Sequence, residues 1–97
     1  MDIIYPLQDS EFEWNEEKYS INLAKHGIRF ESAAEVFFDP FRQSGDATVD
    51  NEPRNYIIGY SFTEKLLLVV FVDRVNRTRI ISARPVTPAE RKLYEES

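Results

Sequence analysis

FEWNEEKYSINLAKHGIRFESAAEVFFDP, residues 12–40, is a stretch whose local signals agree with one another, and it carries the one histidine of the chain. It reads as strand, helix, turn, helix, stop. Asn15 is a good N-cap, and Glu16 and Glu17 follow it at the positive end of the helix dipole. Gly27 stands where a left-handed residue is wanted after a helix, next to the cationic pair Lys25 and His26 at the negative end. The first helix, about Glu16 to His26, is expected to bury Tyr19 and Leu23 at i and i+4. A second helix follows, because Phe30, Ala33, Ala34, Phe37 and Phe38 fall on one apolar stripe before Asp39-Pro40 stops it.

Before the first helix, Glu11 to Trp14 reads as a short strand feeding it, with Trp14 as a core anchor. Residues 1–10 hold Ile3, Ile4 and Tyr5 before Pro6, and read either as a short edge segment or as an untied terminus. Beyond Pro40 the pattern becomes extended. Phe41 to Val49 can start one strand, interrupted by a turn at Ser44, Gly45 and Asp46, and Asp50 to Pro53 marks a second turn. Tyr56 to Phe62 and Leu66 to Val72 then form a hairpin, and the second of these is a continuous apolar run suited to a central strand. Thr78 to Arg84 returns as a third strand. Thr87-Pro88-Ala89-Glu90 opens a terminal helix with an N-cap threonine, proline at N1 and glutamate at N3. Helices first and a meander afterwards indicate α+β: two N-terminal helices and a C-terminal helix packed on one face of a curved antiparallel sheet, in one domain over residues 1–97.

The same residues carry a family resemblance. Phe12-Glu13-Trp14-Asn15, Lys18, Asn22, Lys25-His26-Gly27, Phe30, Ala33-Ala34 and Val36 to Pro40 resemble the opening signature of the BrnT toxins of type II toxin-antitoxin pairs. Arg79 to Arg84 and Glu90 to Tyr94 resemble that family's closing strand and helix. The resemblance implies a RelE-like fold, shared by small messenger-RNA nucleases and inhibitors of translation. It also implies a protein antitoxin, BrnA-like, that neutralises the toxin and reaches DNA through a DNA-binding domain of its own.

Composition sets limits on these readings. At 97 residues the chain suits one small core, and 42% apolar with 30% charged residues is ordinary for a globular domain. Without cysteine there is neither a disulfide framework nor thiolate chemistry, which fits a reducing cytoplasm. No apolar run approaches the roughly 18 residues of a spanning helix, and Asp2 replaces a basic leader start, so neither membrane insertion nor export is expected. A net charge of −5 argues against a generic nucleic-acid binder. Any RNA site must therefore be local. Arg74, Arg77, Arg79, Arg84, Arg91 and Lys92 supply a basic cluster against an acidic N-terminal half.

The chemistry is narrowed mainly by what is missing. One histidine and no cysteine leave no readable metal site, no cofactor motif is present, and there is neither a Gly-rich phosphate loop nor a nucleophile elbow. Phosphodiester cleavage without a metal remains, since it needs a proton acceptor for the ribose 2′-OH, cations around the phosphorane and a donor for the leaving oxygen. His26 is the natural acid or base; its other reading is a helix-end cation hydrogen-bonded to the last carbonyls. Ser82 and Arg84 share one face of the third strand and can converge on a phosphate, whereas Arg79 points to the other face unless a bulge intervenes. Arg84 has a second reading too, as a salt bridge to the acidic first helix. Lys25 and Arg54 complete the candidate catalytic set, Arg54 on the family pattern. Arg79, Arg91 and Tyr94 are the candidate RNA-binding residues; of the stacking candidates Tyr19, Tyr56, Tyr60 and Tyr94, the last lies nearest in sequence to Arg91.

Two functions follow. One is a ribonuclease toxin that cleaves messenger RNA without a metal and stops translation until an antitoxin binds. The other is an inactive toxin-like domain that acts only by binding a protein partner. Independently of either, Thr87→Ala should remove an N-cap worth about 1 kcal/mol. At roughly 4 to 8 °C per kcal/mol for a domain of this size, the melting temperature should fall by a few degrees. An unchanged melting curve would show that the cap is not made.

Overall fold

In the computed structural model, which describes residues 1–96, a tight turn at Gln8 and Asp9 joins β1 (Asp2–Leu7) to β2 (Ser10–Asn15) as an antiparallel hairpin. The helices are therefore not the first elements of the chain. The start is recruited into the sheet because Ile3, Tyr5 and Leu7 alternate with period 2 and pack on the core. Asn15 caps α1 (Glu16–His26), its side chain accepting the Lys18 N–H at 3.0 Å. Gly27 ends the helix at φ 69°, a left-handed conformation that glycine adopts without a Cβ penalty, and donates to the Leu23 carbonyl.

α2 (Phe30–Glu35) stops short of Phe38. Val36–Phe38 tightens into a 3₁₀ turn, with the Val36 N–H shared between the Ala33 and Ala34 carbonyls. A β-branched residue followed by two aromatics is a poor continuation of an α-helix. The chain then lays down β3 (Gln43–Asp46), β4 (Asn55–Tyr60), β5 (Leu66–Asp73), β6 (Thr78–Pro85) and α3 (Pro88–Glu95).

The strands form one six-stranded sheet in the order β1-β2-β6-β5-β4-β3. It is mixed rather than antiparallel. β2 and β6 run parallel, but only Phe12 opposite Thr78 and Glu13 opposite Arg79 pair before β2 leaves for α1. β6 continues to Pro85, so its outer edge from Ile80 onward has no strand beside it among the described residues. Opposite β5, β6 carries a bulge: Val70 faces Ser82 and Phe71 faces Ile80, leaving Ile81 as the extra residue.

Both faces of the sheet are covered. On one, Phe12, Trp14, Ile57, Leu67, Val69 and Ile80 meet Phe30, Ala33, Ala34 and Val36 from the segment around α2. On the other, Ile58, Leu66 and Leu68 pack with Tyr60, Val86 and Tyr94, which places α3 opposite the other helices. One-sided packing is thus corrected, and the reason lies in β5: Leu66 to Val72 is apolar at every position, so each face needs a lid. The expected capping box of α3 is made, with Thr87 Oγ1 accepting the Glu90 N–H and a Glu90 carboxylate oxygen accepting the Thr87 N–H. No helix among the described residues is long and apolar enough to cross a membrane.

Asp39 joins the two layers. Its buried carboxylate accepts from the Phe41 N–H at 2.9 Å, the Tyr60 N–H at 2.8 Å and the Tyr94 hydroxyl at 2.7 Å, so the 3₁₀ turn, β4 and α3 meet at one side chain. Burial alone would raise its pKa, but the donors from Tyr60, Tyr94 and Phe41 outweigh it and hold the carboxyl below its ordinary value. Tyr94 is pushed up to about 12 by burial and by the same hydrogen bond. A depressed carboxylate contributes stability above its unfolded pKa and loses it as pH falls through the folded one, here below about pH 4. Asp39→Asn should therefore lower the urea midpoint at pH 7, costing about 1 to 3 kcal/mol, and flatten its acid dependence. An acid limb as steep as the parent's would place the titrating groups elsewhere.

Candidate active site

The uncovered edge of β6 is closed by a side chain. Asn22, in the middle of α1 and 7% exposed, accepts the Ala83 N–H at 3.2 Å and donates to the Ala83 carbonyl at 2.8 Å. A primary amide carries one acceptor and a donor in the arrangement of a peptide group, so Asn22 satisfies β6 as a neighbouring strand would. It also reaches the Ile28 carbonyl at 3.4 Å, tying the turn after Gly27 to the same point. The expected inward residue Leu23 is 41% exposed instead. The buried face of α1 is thus chosen partly by a polar contact, which hydrophobic periodicity does not register.

This docking leaves a cleft of about 330 Å³ between α1 and β6, lined by Lys18, Ile21, Asn22, Lys25 and His26 on one side and Ile81, Ser82 and Arg84 on the other. Lys25, His26, Ser82 and Arg84, far apart in sequence, share this one space. The sequence left Lys18 to solvent or a site and gave no site role to Ile21 and Asn22, although Lys18, Ile21, Asn22 and Lys25 fall at i, i+3, i+4 and i+7 and form one helical face. That spacing was the available signal. Neither Lys18 nor Lys25 has a carboxylate partner among the described residues, so the cleft holds uncompensated positive charge in a chain of net charge −5.

Arg84 is differently placed. Its Nη1 donates to Glu90 Oε1 at 2.7 Å and to the Pro85 carbonyl at 3.2 Å, and its Nη2 donates to Glu90 Oε2 at 2.8 Å. The salt bridge is to α3, not to the acidic first helix. These contacts use the end-on fork of the guanidinium and leave the Nε–H and the second Nη2–H, its side-on fork, unbonded among the described residues. Glu90 is held below the usual carboxylate range chiefly by the Arg84 hydrogen bonds, against the opposing effect of burial. The guanidinium is raised in turn by Glu90.

The other sequence candidates lie outside the cleft. The β6 bulge does bring Arg79 onto the face of Ser82 and Arg84, since Arg79 pairs with Val72 and Ser82 with Val70. There it is spent on Glu13 and Asp2. Arg54 pairs with Glu52 at 2.9 Å, Arg91 stands 4.0 Å from Glu95, and Tyr94 is bound to Asp39. No group of three His, Cys, Asp or Glu side chains converges as a metal site requires, among the described residues.

A family model described as the ribonuclease toxin BrnT of type II toxin-antitoxin systems matches residues 14–90. The chain belongs to the BrnT family. Members are ribonuclease toxins of type II toxin-antitoxin systems, so an antitoxin partner follows from membership. The matched span includes both walls of the cleft and ends at Glu90, the residue that holds Arg84. In fold, this BrnT chain is similar to the crystal structure of the Brucella abortus ribonuclease toxin BrnT, with a TM-score of 0.60 at 23% identity, over 76% of this chain and 92% of that one. No curated protein matches it.

Proposed function

We propose that this BrnT chain is an endoribonuclease that cleaves single-stranded messenger RNA in the cleft between α1 and β6. The observation that carries the reading is the shared cleft: a histidine and two unpaired lysines on one helix face a serine and an arginine on the adjoining strand, in a member of a ribonuclease toxin family.

The reaction needs no group that these side chains lack. The 2′ oxygen attacks phosphorus, its proton passes to His26, the bond to the 5′ oxygen breaks, and that oxygen takes up a proton from a lysine ammonium of the cleft, leaving a 2′,3′-cyclic phosphate and a 5′-hydroxyl end. Lys25 and Lys18 place charge against the non-bridging oxygens as the phosphorane forms. Arg84 offers the side-on fork that Glu90 leaves open, matched to two phosphate oxygens. Ser82 contributes a hydroxyl donor on the same strand face as Arg84. No metal enters this scheme. Loss of messenger RNA stops translation, a BrnA-like antitoxin blocks the toxin, and the fold is read as RelE-like.

A second reading draws on Arg84 itself. With its end-on fork already occupied by Glu90 and a net charge of −5 on the chain, the domain is an inactive one that binds a protein partner. Incubating bulk RNA with the purified chain, with and without EDTA, separates the two: the ribonuclease reading predicts cleavage in both lanes. His26→Ala should lose about 10²- to 10⁴-fold in rate while staying folded. Arg84→Lys keeps the charge, loses the planar fork, and should lower rate and RNA affinity together. A His26→Ala protein that cleaves RNA and stops growth like the parent would return this histidine to a helix-end role.

A further inference from the structure

Arg84 lines a second space as well. On the α3 side of this residue lies an apolar groove of about 340 Å³, bounded by Tyr56, Ile58, Leu68, Val70 and Leu93, with Arg84 and Glu90 at its rim. The strand pairing explains its shape: Tyr56 lies opposite Val70, and Ile58 opposite Leu68, so one row of apolar side chains crosses β4 and β5. α3 is two turns long and covers only the end of this face near Tyr60 and Val86, leaving Leu93 56% exposed beside the open part.

Tyr56 is the unusual member. Its ring lies across Gly45 on β3, where a Cβ would come within 2.6 Å of the ring, so the glycine lets the aromatic settle on the backbone. Among the described residues Tyr56 and Phe41 are the aromatic side chains that make no ring contact, and the Tyr56 hydroxyl has no hydrogen bond. Phe41 is 71% exposed and lines neither the cleft nor the groove, whereas Tyr56 lines the groove.

We propose that this groove is a nucleobase subsite, in which a base of single-stranded RNA stacks on Tyr56 while its phosphate is held by Arg84. The proposal rests on the ribonuclease reading and extends it beyond the cleft. Charge and polarity favour this occupant: a nucleotide has an anionic end and a flat apolar end, and the two spaces that meet at Arg84 are cationic on one side and apolar on the other. Size favours it over a protein segment, because a stable protein interface covers about 800 Å² on each partner whereas this groove has room for little more than one nucleoside. Base recognition here is by ring face, so the site supplies affinity with modest sequence preference.

The test uses the purified full chain and a fluorescent single-stranded oligoribonucleotide, 2′-O-methylated throughout so that it binds without being cleaved, read by anisotropy. The unmodified oligonucleotide is followed in parallel for cleavage. Tyr56→Ala should weaken binding ~5- to 150-fold, the range expected for one base stacked on one aromatic. Tyr56→Leu, which keeps apolar bulk in case the alanine variant unfolds, should lose as much, while Tyr56→Phe keeps the ring face and retains affinity within about twofold. In the cleavage assay the loss should fall on KM more than on kcat. Parent-like RNA affinity in folded Tyr56→Leu would overturn the subsite, and so would a loss in Tyr56→Phe as large as in Tyr56→Leu. If Tyr56→Leu lost affinity for the antitoxin and kept it for RNA, the groove would be a protein interface and the proposal wrong. A parent chain that neither binds nor cleaves RNA overturns the ribonuclease reading and the subsite with it. Cleavage by a parent whose affinity ignores Tyr56 overturns the subsite alone.

Discussion

The amide of Asn22 on the backbone of Ala83 is the contact on which the cleft depends. β2 abandons β6 after two residue pairs, and the remaining edge would expose peptide groups to water or to another chain. Closing that edge with a strand would have left no room for a site. A single helical side chain satisfies the Ala83 peptide groups on it instead, so α1 lies alongside β6 and Lys18, Lys25 and His26 share a cleft with Ser82 and Arg84. Loss of the amide leaves a buried N–H and a buried carbonyl without partners, about 1 to 3 kcal/mol for each such group. The geometry of the cleft and the stability of the sheet edge therefore rest on one residue.

The other face of the sheet is organised by two carboxylates. Asp39 gathers the 3₁₀ turn, β4 and α3 around three hydrogen bonds, and Glu90 binds both the start of its own helix and the guanidinium on β6. Glu90 thus serves the capping box and the cleft together: it sets the orientation of Arg84 by occupying one fork and leaving the other. The short terminal helix is in this way coupled to the proposed phosphate site without lining the cleft between α1 and β6.

Much of the fold was legible in the sequence because its local chemistry is plain. The cap at Asn15, the left-handed Gly27, the capping box at Thr87 and the continuous apolar run of β5 each name an element or a boundary, and each is present. Parallel pairing of β2 with β6 was not legible, since it joins residues 66 apart through only two pairs and has no local signature. The apolar run Leu66 to Val72 did carry the evidence for two covered faces, but α3 is too short to announce which face it takes. In the cleft, the type of residue pointed to Lys25, His26, Ser82 and Arg84. Asn22 escaped because an asparagine inside a helix reads as surface until its partner strand is known. Arg79 turned on the exception that alternation left open, a bulge: the extra residue Ile81 brings it onto the face of Ser82 and Arg84, where Glu13 and Asp2 take it up.

The most direct measurement is the RNA cleavage rate of Asn22→Ala, taken alongside hydrogen exchange of the Ala83 amide in the same protein. The expected result is that this amide, protected in the parent, opens to exchange while the sheet persists, and that the rate falls about 10²-fold because α1 no longer holds His26 against Ser82 and Arg84. A parent-like rate with the Ala83 amide exposed would contradict it, since the chemistry would then not depend on the meeting of α1 and β6.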